Sequence, residues 1–201
     1  TRMPGDPGLY DSLMACACAA ELMSSLEPLG DAAVNLQSAE GRMQKVSPAA
    51  CDISVYIDYA HTPAALEALL KTASGFRVRG QRLVLLFGCG GDRDRSKRAE
   101  MGRIASEYAD FTYITSDNSR GESAAGIIRE IMTGFDSRRP HKILRDRRAA
   151  IETAVTDALP GDIILLAGKG HEKYEITSEG RKPFDEAAIV RSALRERAWQ
   201  K

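Results

Sequence analysis

Three short clusters mix charges of both signs with glycine: Gly-Cys-Gly-Gly-Asp-Arg-Asp at 88–94, Asp-Asn-Ser-Arg at 117–120 and Gly-Lys-Gly-His-Glu at 168–172. Carboxylates accept hydrogen bonds from an ammonium, and the planar guanidinium fork binds a carboxylate in bidentate fashion. Three such clusters of mixed charge therefore suit a ligand that carries both signs. A fourth segment, Asp58-Tyr59-Ala60-His61-Thr62-Pro63, offers a carboxylate for ribose hydroxyls and two flat rings for a base.

Each segment also has a plainer reading. Gly88-Cys89-Gly90-Gly91 can bring backbone amides up to an anion near a helix start, or it can make a tight strand-to-helix turn. Six charges between Asp92 and Arg98 favour the first use. Asp117 to Arg120 reads equally as an Asx turn and helix cap, and the arginine tilts it toward binding. Gly168-Lys169-Gly170 is not a Walker phosphate loop, because Ile163 stands where its first glycine belongs and Gly170 replaces the Ser or Thr. His171 is either part of a site or a surface hydrogen-bonder.

Something must bring these segments together. Short apolar runs at 53–58, 82–87, 111–115, 142–145 and 162–167 alternate with helical stretches at 63–74, 97–109, 122–133, 147–158 and 186–199. That alternation predicts an α/β fold, a Rossmann-like, mostly parallel sheet with flanking helices. Loops at the carboxyl ends of such strands share one edge, where ligands bind. Thr62 before Pro63 and Asp185 before Glu186 read as helix caps, and 174–184 reads as a β-hairpin around Glu179-Gly180. Residues 9–27, rich in Ala, Leu and Met, read as a buried helix, with a second over 31–38. With no strand beside them, 1–40 are expected to be the end of another domain, and 41–201 the α/β domain.

Composition closes off other classes. A chain of 201 residues at 43% hydrophobic content can bury a full core, and its 28 basic and 28 acidic residues leave no field for nucleic acid or a membrane surface. No stretch reaches bilayer-spanning length and no signal pattern opens the chain, so the cytoplasm is the expected compartment. The start at Thr1 suggests an excised fragment. Cys16 and Cys18 are read as buried, reduced thiols in a helix rather than a metal site.

Taken together the segments resemble the Mur ligases of bacterial cell-wall synthesis, in particular the MurE type. The matching residues are Gly41-Arg42-Met43, Asp58 to Pro63, Gly88 to Asp94 with Lys97-Arg98, Asp117-Asn118-x-Arg120 and Gly168 to Glu172. The resemblance covers the chain from about residue 9 but only the end of the family's sequence, the last helices of the central ATPase domain and the acceptor-binding domain. It implies an ADP-forming amide ligase. ATP, with Mg2+, activates the glutamate carboxylate of UDP-N-acetylmuramoyl-L-alanyl-D-glutamate as an acyl phosphate, which the amine of a diamino acid attacks.

The resemblance further implies that Arg42 reaches the γ-phosphate, Asp58 holds the ribose, His61 lies near the nucleotide, and Lys97 assists the phosphoryl group. Acceptor binding falls to Arg93, Asp117, Asn118, Arg120, Gly168 and Glu172. Meso-diaminopimelate presents a carboxylate and an ammonium at its far end, whereas lysine would leave an arginine unpaired at a cost of about 1.5–3 kcal/mol; equal use of lysine by an intact ligase would defeat that choice. Ser119 stands where the family carries proline, so the aim of Arg120 loses a rigid neighbour. The Walker loop, the central-domain carboxylates that hold magnesium and the lysine that the family carbamylates are missing from this sequence, so the chain is expected to hydrolyse no ATP alone; a monomer is the expected state. The competing expectations are a stand-alone amino-acid or nucleotide-binding module and a folylpolyglutamate synthetase-like ligase.

Overall fold

The computed structural model describes residues 4–23, 25 and 27–199. Two helices, α1 (Gly5–Leu22) and α2 (Glu27–Asn35), precede a two-residue strand β1 (Gln44–Lys45). There follow β2 (Ser54–Asp58), α3 (Pro63–Phe76), β3 (Leu83–Phe87), α4 (Ser96–Tyr108), β4 (Phe111–Ile114), α5 (Ala124–Met132) and β5 (His141–Ile143). The chain continues through α6 (Arg147–Thr156), β6 (Ile163–Ala167), a hairpin of β7 (Tyr174–Thr177) and β8 (Gly180–Pro183), and α7 (Glu186–Trp199).

The main sheet has the order β1-β2-β6-β3-β4-β5. All its pairings are parallel except that of β1 with β2. β3 and β6, at the centre, are buried at every position. They read as unbroken apolar runs because helices cover both faces of a parallel sheet. On one face α3, α4 and α5 pack through Leu66, Leu70, Met101, Ile104 and Ile127, and on the other α6 and α7 pack through Ile151, Val155, Ile189 and Val190. Because β6 is inserted between β2 and β3, the loops leaving β2, β6, β3 and β4 line up side by side along one edge.

Local chemistry fixes where the helices start. The Thr62 hydroxyl accepts from the Ala65 amide ahead of Pro63 at the first turn, and the Asp185 carboxylate accepts from the Ala188 amide before α7. α5 begins two residues later than its sequence pattern suggests, at Ala124, because the Glu122 carboxylate is held by Arg98 and its amide by the Ser119 carbonyl.

The amino-terminal helix departs from expectation. It runs over Gly5–Leu22, positions 24 and 26 lie outside the described residues, and it is not buried. Tyr10 is 71% exposed and Leu22 89%, with Leu9, Leu13 and Met14 exposed as well. High Ala, Leu and Met content sets helix propensity, but it forms no stripe that the sheet could cover. Cys18 is exposed and Cys16 only partly covered, so neither is the buried thiol expected, whereas Cys89 is buried. The second helix ends at Asn35, three residues short of its expected range.

Candidate functional site

The loops after β2, β3, β4 and β6 and the first strand of the hairpin enclose a cleft of about 490 Å3. Arg93, Asp117, Asn118, Arg120, Gly168 and Glu172 all line it, as do His61 and Lys97. Tyr174 and Ile176 of β7 supply a wall that the sequence did not suggest.

Arg120 occupies a left-handed backbone conformation with φ of 50°. Its amide donates to the Ile176 carbonyl (3.0 Å), and its Nη1 donates to the carbonyls of Gly91 (2.9 Å) and Asn118 (3.2 Å). One edge of the guanidinium is thus anchored, while Nε and Nη2 make no hydrogen bond among the described residues. Asp117 is buried, and its Oδ1 accepts from the Asn118 amide at 2.6 Å. Its Oδ2 leans over Gly168, where an added Cβ would lie 2.7 Å away. Gly168 also has φ of 118°, so the position admits glycine alone on two counts. Glu172 is oriented by Asn118, whose Nδ2 donates to Oε2 at 2.8 Å.

The glycines at 88–91 serve a different purpose from the anion cradle expected of them. A Cβ at Gly88 would sit 2.4 Å from the Thr115 carbonyl oxygen, and one at Gly91 would sit 1.9 Å from that of Ser119. They let two loops of the site pack backbone to backbone, sealed by the Gly91 amide donating to the Asn118 carbonyl at 2.9 Å. α4 starts further on, at Ser96, where Asp94 accepts from the Ser96 amide at 2.9 Å.

The charged run Asp92 to Arg98 divides between two tasks. Arg93, Asp94 and Lys97 face the cleft. Arg98 is wholly buried and donates to both oxygens of Glu122 (2.9 and 2.8 Å), to Glu130 (2.8 Å) and to the Gly90 carbonyl (3.1 Å). Arg95 adds a contact to Glu122 at 2.7 Å. Hydrogen bonds from Arg98, and then from the Asp92 amide, hold the Glu122 carboxyl down at about 2, well below its ordinary 4.5. Burial pushes the Cys89 thiol up to about 12, so it stays protonated and inert beside the cleft.

The residues expected at a nucleotide fall into two places. Arg42 and Asp58 line a second hollow of about 530 Å3, between α1, α3 and the turn before β1. His61 lines the first cleft, its Nδ1 2.9 Å from the Tyr59 carbonyl. The Tyr59 ring joins the two, with the Arg42 guanidinium 4.9 Å from its centroid and the His61 ring at 4.7 Å. Both Asp58 oxygens already accept backbone amides, from Met43 and Ala60 at 2.8 Å each. Lys97, which lines the first cleft, donates to the His61 carbonyl at 2.8 Å. Among the described residues no three His, Cys, Asp or Glu side chains converge, and no helix is long and apolar enough to cross a membrane.

Sequence reading missed the supports under the cleft. Arg147 is wholly buried beneath the ends of β4 and β6, donating to the carbonyls of Ser116 (3.1 Å) and Ala167 (2.9 Å) and to Glu186 (2.7 Å). A clue was present, since an arginine in the first turn of a helix opposes the macrodipole and needs a reason. Lys169 is buried as well, between Gly168 and Gly170 with their positive φ.

Comparison with known proteins agrees with this architecture. Residues 41–170 match the family described as Mur ligase, glutamate ligase domain. The UDP-N-acetylmuramoyl-L-alanyl-D-glutamate–2,6-diaminopimelate ligase of Chromobacterium violaceum is 45% identical over 197 residues, covering 96% of this chain and 39% of that protein. The enzyme of the same name from Synechococcus elongatus is 48% identical over 157 residues, 78% of this chain and 31% of that protein. A solved structure of a ligase with this name superposes with a TM-score of 0.77 at 36% identity, over 97% of this chain and 39% of its own. The chain thus spans about two fifths of the length of these relatives.

Proposed function

We propose, from the premise that this chain belongs to the Mur ligase family, that it forms the acceptor-binding part of an ADP-forming amide ligase of peptidoglycan biosynthesis. The acceptor is meso-diaminopimelate, and the partner it joins is the glutamate carboxyl of UDP-N-acetylmuramoyl-L-alanyl-D-glutamate. One observation carries this reading: Arg93 and Arg120 share a single cleft with Asp117 and Glu172. Two cationic forks and two carboxylates around about 490 Å3 match a small end group bearing one carboxylate and one ammonium.

The far end of the acceptor is held in this cleft, and its reacting amine extends toward Lys97 and His61, which line the same cleft. There the amine nitrogen attacks the activated carboxyl carbon. The C–N bond forms, the C–O bond to the phosphoryl group breaks, phosphate leaves, and the amine gives up a proton. The contribution of these residues is placement, which for well-oriented partners supplies about 7–11 kcal/mol of the barrier. Lys97 offsets charge on the departing phosphate.

ATP is the phosphoryl donor of the family. The exposed Arg42 guanidinium stacked on Tyr59 and the Asp58 carboxylate are the groups that would hold its phosphates and ribose, with His61 near by. In this reading the magnesium ligands belong to the central ATPase domain; among the described residues no three His, Cys, Asp or Glu side chains converge. In this reading residues 1–40 belong to the ATPase domain and 41–201 form the acceptor domain.

Calorimetric titration with three seven- or five-carbon probes tests the acceptor assignment: meso-diaminopimelate, pimelate with carboxylates only, and cadaverine with ammonium groups only. Meso-diaminopimelate should bind at least about ten-fold tighter than either single-sign probe, because each lost charged hydrogen bond costs about 1.5–3 kcal/mol. Equal affinity for all three would overturn the assignment.

A further inference from the structure

Beneath the acidic half of the cleft lies one buried ammonium that the reaction does not use. Gly168 and Gly170, with φ of 118° and 54°, turn the chain on either side of Lys169, and the side chain points under the 117–120 loop. Lys169 is fully buried. Its Nζ donates to Asn118 Oδ1 (2.9 Å) and to the Tyr174 carbonyl (3.0 Å), lies 3.4 Å from Asp117 Oδ1, and stands over the Phe184 ring at 5.5 Å from the centroid. Asn118 in turn orients Glu172, while its Oδ1 also accepts from the Ile176 amide at 2.9 Å.

We infer that Lys169 is a positioning residue for acceptor recognition, aiming Asp117 directly and Glu172 through Asn118 at the acceptor's ammonium. This rests on the acceptor reading above. Charge balance gives the reason. Two carboxylates at a mostly buried wall face one ligand ammonium, which leaves one negative charge in excess on that side of the cleft, as the two arginines leave one positive charge in excess on the other. Lys169 removes that excess from below, through the first oxygen of Asp117, and leaves Oδ2 of Asp117 and Oε1 of Glu172 for the ligand. A buried ammonium tied to two side chains and a carbonyl cannot itself reach a phosphate, so its charge acts on the wall and not on the nucleotide.

The test compares two probes on the full chain and on Lys169→Met, with thermal melting to confirm that both are folded. Wild type should prefer meso-diaminopimelate over pimelate by about ten-fold or more. In Lys169→Met that preference should fall to about two-fold, while pimelate, which lacks the ammonium, keeps its affinity within about two-fold. Parallel loss for both probes would mark Lys169 as merely structural and overturn the inference, as would an unchanged preference. Should Lys169→Met not fold, Asn118→Ala removes the relay from Lys169 to Glu172 together with the acceptor of the Ile176 amide, and an undiminished preference there would overturn it equally. A wild type with no preference overturns the acceptor reading, and this inference with it; a preference kept by wild type and variant overturns only the latter.

Discussion

Arg93 and Arg98 belong to one charged run, yet the fold assigns them to different regions. Arg93 reaches the cleft and, among the described residues, bonds only to the Asp92 carbonyl, at 3.0 Å. Arg98 is buried in the foundation, where both of its terminal nitrogens are taken by Glu122, Glu130 and the Gly90 carbonyl, while its Nε has no partner among the described residues. The same division separates Arg120, with half of its guanidinium unbound, from Arg147, which is enclosed by Glu186 and two strand-end carbonyls. Charge density in a loop is therefore no measure of binding. What distinguishes a binding cation from a structural one is whether both of its terminal nitrogens are already used.

If that contrast holds, foundation and cleft should fail differently. The largest effect is expected in the foundation. Arg147→Met leaves the buried Glu186 carboxylate without its cation and should cost about 3–5 kcal/mol in urea unfolding. Adding Glu186→Leu should recover much of that loss, since both charges are then gone. A cost under about 1 kcal/mol for the single variant would erase the contrast.

In the cleft the pattern should invert. Arg120→Ala should weaken meso-diaminopimelate binding by about ten- to a hundred-fold and leave cadaverine unchanged, with a stability change under about 1 kcal/mol. Loss of stability without loss of selectivity would move Arg120 into the foundation.

Acid sharpens the comparison further. The Glu122 carboxyl is held at about 2 against 4.5 ordinarily, so its depressed folded value contributes stability above about 4.5 that disappears as pH falls toward 2. Unfolding followed between these limits should steepen for wild type and flatten for Glu122→Gln. Identical acid limbs would show that the Arg98 network does not act through this carboxylate.

The smallest effect is expected at Ser119. Ser119→Pro should stiffen the loop that aims Arg120 and tighten acceptor affinity by about two-fold, through restricted backbone freedom. Unchanged affinity would show that the hydrogen bonds from Arg120 to Gly91, Asn118 and Ile176 already fix the loop.

Much of this was readable from the chain, for identifiable reasons. The central strands were legible because 83–87 and 163–167 are unbroken apolar runs with turn residues behind them. Convergence of Arg93, Asp117, Arg120 and Glu172 followed from their places after those strands. β1 was not legible, since two residues carry no period and their pairing depends on β2. The burial of Lys169 and Arg98 was not legible, because a one-dimensional reading cannot tell a loop cation facing solvent from one facing its neighbour loop. The glycines at 88 and 91 were credited to a ligand when the close approach is to the carbonyls of Thr115 and Ser119. The exposed face of α1 was unreadable for the opposite reason, as its apolar residues promise burial that no described element provides.

A crystal structure of the chain soaked with meso-diaminopimelate is the most direct test of the claim that one cleft reads both signs of the acceptor. The account predicts one end group in the cleft, its carboxylate within about 3 Å of the Arg120 and Arg93 guanidinium nitrogens and its ammonium at like distance from Asp117 and Glu172. A ligand bound elsewhere, or one whose ammonium points to solvent while the carboxylate alone is held, would contradict it.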